Sequence, residues 1–440
     1  MSGINQLDPE TISEIKTQLY NPIIQKDYFL RTRVNKDADS RDRPPYQRDY
    51  TRIMYSTAFR RLQGKMQLLD LRKSKFYRNR LTHSLEVAQI ARSIADDIYN
   101  GEDVYVVEAC ALAHDIGNPP FGHNGETILN KIMTKHSENG EGFEGNAQTM
   151  RVLTKLQSKD PDYEGMNLTY RTLLGVAKNF FPHEGNSEKK AKNNKYLYND
   201  DYICLNSFVD RYNITKKTLD MQIMDISDRI AYAAHDLEDS LNNRVFSIDE
   251  FLMELKYNQK GFENVCTAEK RDIAIRKMDD IIYYAKLKTQ KVFSDQYNSL
   301  FSKELGSKII FELIRDIGVT QDDQGNKELG FKTLSGLADM TKEIITFECL
   351  NHTKDVKMYE LMGETIIYSL FDFYQSHFDL LPLEYKRNIG KDKKMKSRAI
   401  IDFISGMMDS YAIELYGEIF GKRRLETFGI YKNFDGVIIK

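Results

Sequence analysis

The 440-residue chain reads as an all-α protein. Three observations carry that expectation: apolar residues recur at helical spacing over long stretches, one segment is apolar on nearly every side, and alternating strand patterns are few and short. From Leu81 to Ile98, the residues Leu81, Leu85, Ala88, Ala91, Ile94 and Ile98 return every three or four positions, with Arg92 and Asp96 left for the wet face. Val104 to Ile116 has the all-round apolarity of a buried central helix, and Gly117 followed by Asn118-Pro119-Pro120 stops it. Met221 to Leu241 carries a third stripe of Ile223, Ile226, Ile230, Ala233 and Leu237. Ala274 to Phe293, Leu334 to Glu348, Met358 to Tyr374 and Ala399 to Phe420 read as further helices.

Polar connections separate these segments: a charged, proline-containing stretch over 37–49, a polar excursion over 183–201 and a basic loop over 385–398. There is no internal repeat and no long flexible linker. The expected organisation is one elaborated domain: an N-terminal helix and charged connection over 1–50, a core over 51–245, and helices over 246–440 packed on that core. Aliphatic and aromatic residues make up 41%, enough for a sizeable core, and the net charge of −2 provides no global basic field for nucleic acid or an anionic membrane. Any phosphate binding therefore falls to local basic clusters. No apolar run approaches the ~18 residues of a membrane span, and the first residues lack a signal-peptide core. Cys110, Cys204, Cys266 and Cys349 lie far apart without Cys-x-x-Cys spacing, which argues against a disulfide framework or a cysteine zinc site and fits a reducing cytoplasm.

Chemistry concentrates in Ala113-His114-Asp115-Ile116-Gly117-Asn118-Pro119-Pro120-Phe121-Gly122-His123-Asn124-Gly125-Glu126. An adjacent His-Asp pair can share one metal ion, and His83 and Asp228, each at or in a helix, are candidates to complete the set. Two imidazoles and two carboxylates make a mixed N/O donor set that suits Mn, Fe, Co, Ni or Zn better than calcium. Four protein ligands leave positions open for water and substrate, as in a catalytic site. Taken singly, each of these residues reads equally well as a helix cap or a satisfied core group. His123 and Glu126, three apart, share a face if their segment is helical, and Asp228, Tyr232 and Asp236 line one helix face at i, i+4 and i+8.

Several blocks together resemble the deoxynucleoside triphosphate triphosphohydrolases of the HD superfamily, and in particular the bacterial dGTPases. They are Arg80-Leu-Thr-His83-Ser-Leu-Glu-Val, the run from His114 to Glu126, Phe143-Glu-Gly-Asn-Ala-Gln148 and Asp228-Arg-Ile-Ala-Tyr232. Phe59 to Gln67 and Arg398 to Asp409 match as well, so the likeness runs from about residue 40 to 420. The Gly-Asn-Pro-Pro-Phe-Gly-His run sets this group apart from other HD phosphohydrolases. The resemblance implies an HD-domain helical fold with additional C-terminal helices, the catalytic core falling in 51–245. It implies that His83, His114, Asp115 and Asp228 bind a divalent ion among Mn, Mg, Fe, Co, Ni and Zn. It further implies attack of water on the α-phosphorus of a dNTP, dGTP being favoured, to release deoxynucleoside and tripolyphosphate.

In that scheme His123 is general acid/base and Glu126 its partner. Tyr232 and Asp236 hold the deoxyribose, the ring excluding a 2′-hydroxyl, and Gln67 meets the 3′ side. Arg80, Lys178 and Arg229 face the triphosphate, Lys178 in a context (Asn179-Phe180-Phe181-Pro182) that departs from the relatives' Tyr-Pro. Asn146 and Gln148 form the pocket wall near the metal, and Glu360 is the candidate for guanine recognition. The resemblance also implies a homo-oligomer and, in some relatives, a nucleotide or single-stranded DNA effector. The nearest alternative is another HD enzyme, a 5′-nucleotidase or cyclic-nucleotide phosphodiesterase. A different class is a nucleic-acid-binding or regulatory protein whose HD site is inactive.

Overall fold

The computed structural model describes residues 6–35, 43–67, 78–137, 141–183, 195–258, 260–322, 324–352, 354–386 and 393–421. The all-α expectation holds. Beyond helices, the described residues contain one antiparallel hairpin, Ile317–Gln321 with Lys327–Phe331, whose register pairs Ile317 with Phe331 and Gln321 with Lys327. No helix among the described residues is long and apolar enough to cross a membrane.

The segment apolar on all sides forms the helix Val104–Ala113, and its residues Val106 to Ala113 are buried. Around it pack Pro45–Met54, Arg80–Ile98, Tyr170–Val176 and Leu219–Ala231. Arg80–Ile98 begins in a capping box, in which the Asn79 side chain accepts from the Thr82 amide and Thr82 returns a bond to the Asn79 amide. Its buried face includes His83, Ser84, Val87, Ala91, Ile94 and Ile98, whereas Leu85, expected in the stripe, is exposed. The buried stripe thus runs through His83 and Ser84, polar residues that an apolar count passes over.

Among the described residues the apolar interior has two large parts. One surrounds the central helix and includes Ile116. The other starts at Phe121 and joins Ile128, Leu129 and Ile132 of Gly122–His136 to Met362, Ile366 and Leu370 of Lys354–Ser376, then to Ile400, Ile404 and Tyr416. The turn between Ile116 and Phe121 passes from one core to the other. Gly117 lets it approach Gly145–Arg151 closely, since a Cβ there would lie 2.1 Å from the Thr149 amide nitrogen. Phe121 is left-handed (φ 62°), a conformation that an aromatic residue keeps only when tertiary contacts hold it.

Several boundaries differ from the sequence reading. Pro45–Met54 is helical, because Pro45 stands at the first helical position, where proline is favoured, so the charged connection ends before residue 49. Ala399 to Phe420 divides into Lys393–Ser405 and Asp409–Phe420. The basic stretch over 385–398 is helical at both ends, with 387–392 outside the described residues, as are 184–194 of the polar excursion and 37–42 of the charged connection. Ser294–Arg315 is a helix that the sequence reading did not separate.

The Met221 to Leu241 stripe is not a single α-helix. Leu219–Ala231 gives way to a π-helical turn, Tyr232–Asp236, before Leu237–Asn242 resumes α geometry. A π turn widens the ring by one residue and rotates the next part of the helix, so Asp228, Tyr232 and Asp236 are not evenly spaced along an α face.

A candidate metal centre

Four side chains from three helical segments converge beside the central helix. His114 caps its C-terminal end, and the ring Nδ1 donates to the Ala111 carbonyl at 2.6 Å. A carbonyl can only accept, so Nδ1 carries the proton and Nε2 of the neutral ring keeps its lone pair. That Nε2 is buried and has no hydrogen-bond partner; it lies 3.6 Å from an oxygen of Asp115 and 3.6 Å from an oxygen of Asp228. His83 Nε2 is 3.1 Å from the same Asp228 oxygen. One ligand atom each from His83, His114 and Asp115 falls within 4.8 Å of the others.

This donor set fits a divalent ion. Ligands bonded at roughly 2.0–2.2 Å with right or tetrahedral angles stand roughly 3–3.5 Å apart, close to the spacings here. A buried lone pair facing carboxylate oxygens is costly without a cation between them.

The carboxylates are held from behind. Asp115 accepts from Arg80 at 2.6 Å and from the Asn118 amide at 2.6 Å, while Asp228 accepts from Lys178 at 3.2 Å. Burial pushes both carboxyls up, but the charges around them outweigh it, with Arg80 at Asp115 and Lys178 at Asp228. Both stay below the usual carboxylate range, Asp228 well below, and ionised ligands are what a metal needs.

His123 stands on the first turn of Gly122–His136 with its side chain 90% exposed, and its Nδ1 meets Glu126 at 3.3 Å. Glu126 is fixed in turn by the Gly145 amide at 2.9 Å. The Glu126 bond raises the His123 pKa above its ordinary value; Glu126 is lowered because His123 and the Gly145 N–H outweigh its burial. Tyr232 packs its ring 5.1 Å from that of His83, and Lys342 places its Nζ 4.9 Å above the Tyr232 ring. Burial, with Asp239 next, pushes the Asp236 carboxyl well above its usual range. Gln67 is buried with both amide atoms unpartnered, and Arg80 Nε is likewise unpartnered. A bridge between Met66 and Asn79, with the Arg80 amide donating to the Lys65 carbonyl at 3.1 Å, sets Gln67 beside the start of the Arg80 helix.

Other candidates have partners within the protein. Lys178, expected at the triphosphate, is held between Asp225 (2.5 Å) and Asp228. Arg229 pairs with Asp339 at 2.8 Å and lies over the Phe331 ring of the hairpin. Asn146 donates to Glu144 at 2.6 Å. Gln148 is fully buried against Asp402, Ser405 and Tyr198, so it joins the core to the C-terminal helices. Glu360 contributes its carbonyl to Asn124. The sequence reading passed over Asn118 as part of a stop signal, although a side-chain amide three residues after Asp115 was visible. Lys342 had no local signal.

The pattern of the HD domain family matches residues 80–234, and that of the phosphohydrolase-associated domain matches residues 338–418. The chain is 42% identical to the deoxyguanosinetriphosphate triphosphohydrolase-like protein 2 of Vibrio cholerae, over 94% of this chain and 97% of the relative. It is 32% identical to the deoxyguanosinetriphosphate triphosphohydrolase-like protein of Rickettsia bellii, over 88% of this chain and 95% of the relative.

Proposed function

The chain belongs to the HD-domain family of deoxyguanosinetriphosphate triphosphohydrolase-like proteins, and from that premise we propose that it hydrolyses dNTPs, dGTP foremost, at the α-phosphorus to deoxynucleoside and tripolyphosphate. Metal-dependent nucleotide phosphohydrolysis is the general chemistry of the family. The observation that carries the reading is the buried, unpartnered Nε2 of His114 facing Asp115 and Asp228, with His83 beside them.

His83, His114, Asp115 and Asp228 would hold a divalent ion, which would supply a Lewis acid and lower the pKa of water to about 7. Arg80 neutralises Asp115 and keeps its Nε as a donor for a phosphate oxygen. His123, kept protonated by the Glu126 bond at Nδ1, gives the proton on Nε2 to the departing sugar oxygen. Tyr232 closes on the sugar C2′, where a ribose hydroxyl would collide, and Asp236 and Gln67 take the 3′-hydroxyl. The Asp236 carboxyl, pushed up by burial, can donate as well as accept there. Lys178 orients Asp228, and Arg229 lies at the edge of the pocket. A cytoplasmic homo-oligomer with a nucleotide or single-stranded DNA effector completes the proposal.

The test is to incubate the protein with each of the four dNTPs, GTP, a deoxynucleoside 5′-monophosphate and a cyclic nucleotide in Mn²⁺ or Mg²⁺ and separate the products by chromatography. Tripolyphosphate with deoxynucleoside supports the reading. Orthophosphate from a mononucleotide, or opening of a cyclic nucleotide, would assign the chain to another HD branch.

A further inference from the structure

Asp409 stands at the start of the helix Asp409–Phe420, in the region matched by the associated domain, yet its carboxylate serves other segments. One oxygen accepts the Phe121 amide at 3.0 Å. The other accepts the Met66 amide at 3.0 Å and the Tyr359 hydroxyl at 2.9 Å. Met66 immediately precedes Gln67, and Phe121 lies two residues before His123 on the turn that leaves Asp115. Lys65 ties the same parts a second time, its buried ammonium donating to the Asn118 carbonyl and to the Ser405 carbonyl at 2.8 Å. Phe121, left-handed at φ 62°, is packed 5.4 Å from the Tyr359 ring, and a Cβ on Gly363 would strike it at 2.7 Å.

The alternative for an aspartate at a helix start is that it caps its own helix. Here both oxygens go to residues that are 50, 288 and 343 positions away in sequence. Three donors converge on one carboxylate, a pattern an amide cannot reproduce, because its NH2 would face another donor.

We propose that Asp409, with Tyr359 and Lys65, is a clamp through which the C-terminal helices set the Met66–Gln67 segment and the Asn118–His123 turn around the nucleotide. Asp409 is a positioning residue, acting through Gln67 and His123. The inference rests on the triphosphohydrolase reading for its kinetic consequence, though not for its structural one.

The experiment compares full-length wild type with Asp409→Asn and with Tyr359→Phe, which keeps the ring and removes one donor. It measures kcat and KM for dGTP with Mn²⁺, Mn²⁺ affinity by chelator competition, and amide hydrogen exchange at Met66 and Phe121. Asp409→Asn is expected to lower kcat/KM at least tenfold and to speed exchange at both amides, with Mn²⁺ affinity within twofold of wild type. Tyr359→Phe is expected to lower kcat/KM about threefold, and it carries the test if Asp409→Asn does not fold. Unchanged kcat/KM, or a loss that only tracks loss of bound Mn²⁺, overturns the positioning role. Unchanged exchange overturns the clamp. A wild type inactive on every nucleotide would sink the functional reading alone, since exchange still judges the clamp.

Discussion

Replacing His114 by asparagine separates the metal-binding role of this side chain from its folding role. The asparagine amide reaches roughly where Nδ1 lies, so a donor to the Ala111 carbonyl remains, while the Nε2 that faces Asp115 and Asp228 is gone. Losing a group that merely supports a ligand typically costs 10–100-fold in metal affinity, so losing a ligand should cost more than about 100-fold, or about 2.7 kcal/mol. A metal at about 100 times its Kd stabilises the folded state by about 2.7 kcal/mol. With an unfolding entropy of roughly 2.1 cal/mol/K per residue, that is a rise of about 3 °C for a chain of 440 residues unfolding as a unit.

Thermal melts of both proteins, with EDTA and with Mn²⁺, therefore give a clear pattern. In EDTA the two should melt close together, because the substitution removes an unpartnered buried atom and no existing bond. With Mn²⁺ only the wild type should rise, and nucleotide hydrolysis by the variant should fall more than about 1000-fold. A variant that gains the same Mn²⁺ shift, or keeps wild-type turnover, would show that this cluster is not the metal centre.

Three further outcomes are expected from the same geometry. Tyr232→Ala removes the ring beside His83 and should narrow the preference for dNTP over NTP by about tenfold or more, read from kcat/KM for dGTP and GTP; an unchanged ratio refutes the sugar gate. Glu126 holds the His123 pKa above 6.5, so a protonated His123 is retained to higher pH and activity needing its proton is lost as pH rises through that raised value. Glu126→Gln should therefore move the alkaline limb of the kcat/KM profile to lower pH, and a limb that stays put removes His123 as the acid. Gly117→Ala would put a Cβ 2.1 Å from the Thr149 amide nitrogen and should destabilise the protein by about 3 kcal/mol, visible as a lower urea midpoint; no change would mean the two backbones are not in contact.

Much of the fold was legible because helices bury one face at a fixed period. Leu85 shows the limit, since the period does not say that a neighbouring polar face carrying His83 and Ser84 is the one buried. The ligand candidates were legible through residue type and motif. The protein partners of Lys178 were not legible: it is a basic residue near a phosphate-handling motif, and it pairs with Asp225 and Asp228, far along the chain. The partners of Gln148, namely Asp402, Ser405 and Tyr198, were hidden for the same reason.

By itself the sequence determined the helical class, the central buried helix, the stop after Ile116 and the identity of the four metal-ligand candidates. All of these depend on residues within one or two turns of each other or on a motif read directly. Only the tertiary structure decided that His83, His114, Asp115 and Asp228 stand 3.1–3.6 Å from one another in the pairs described, that Tyr232 begins a π turn, and that Asp409 grips both Met66 and Phe121. Hydrogen bonds and metal-ligand spacings act over a few ångströms in space whatever the separation along the chain, so no local pattern records them.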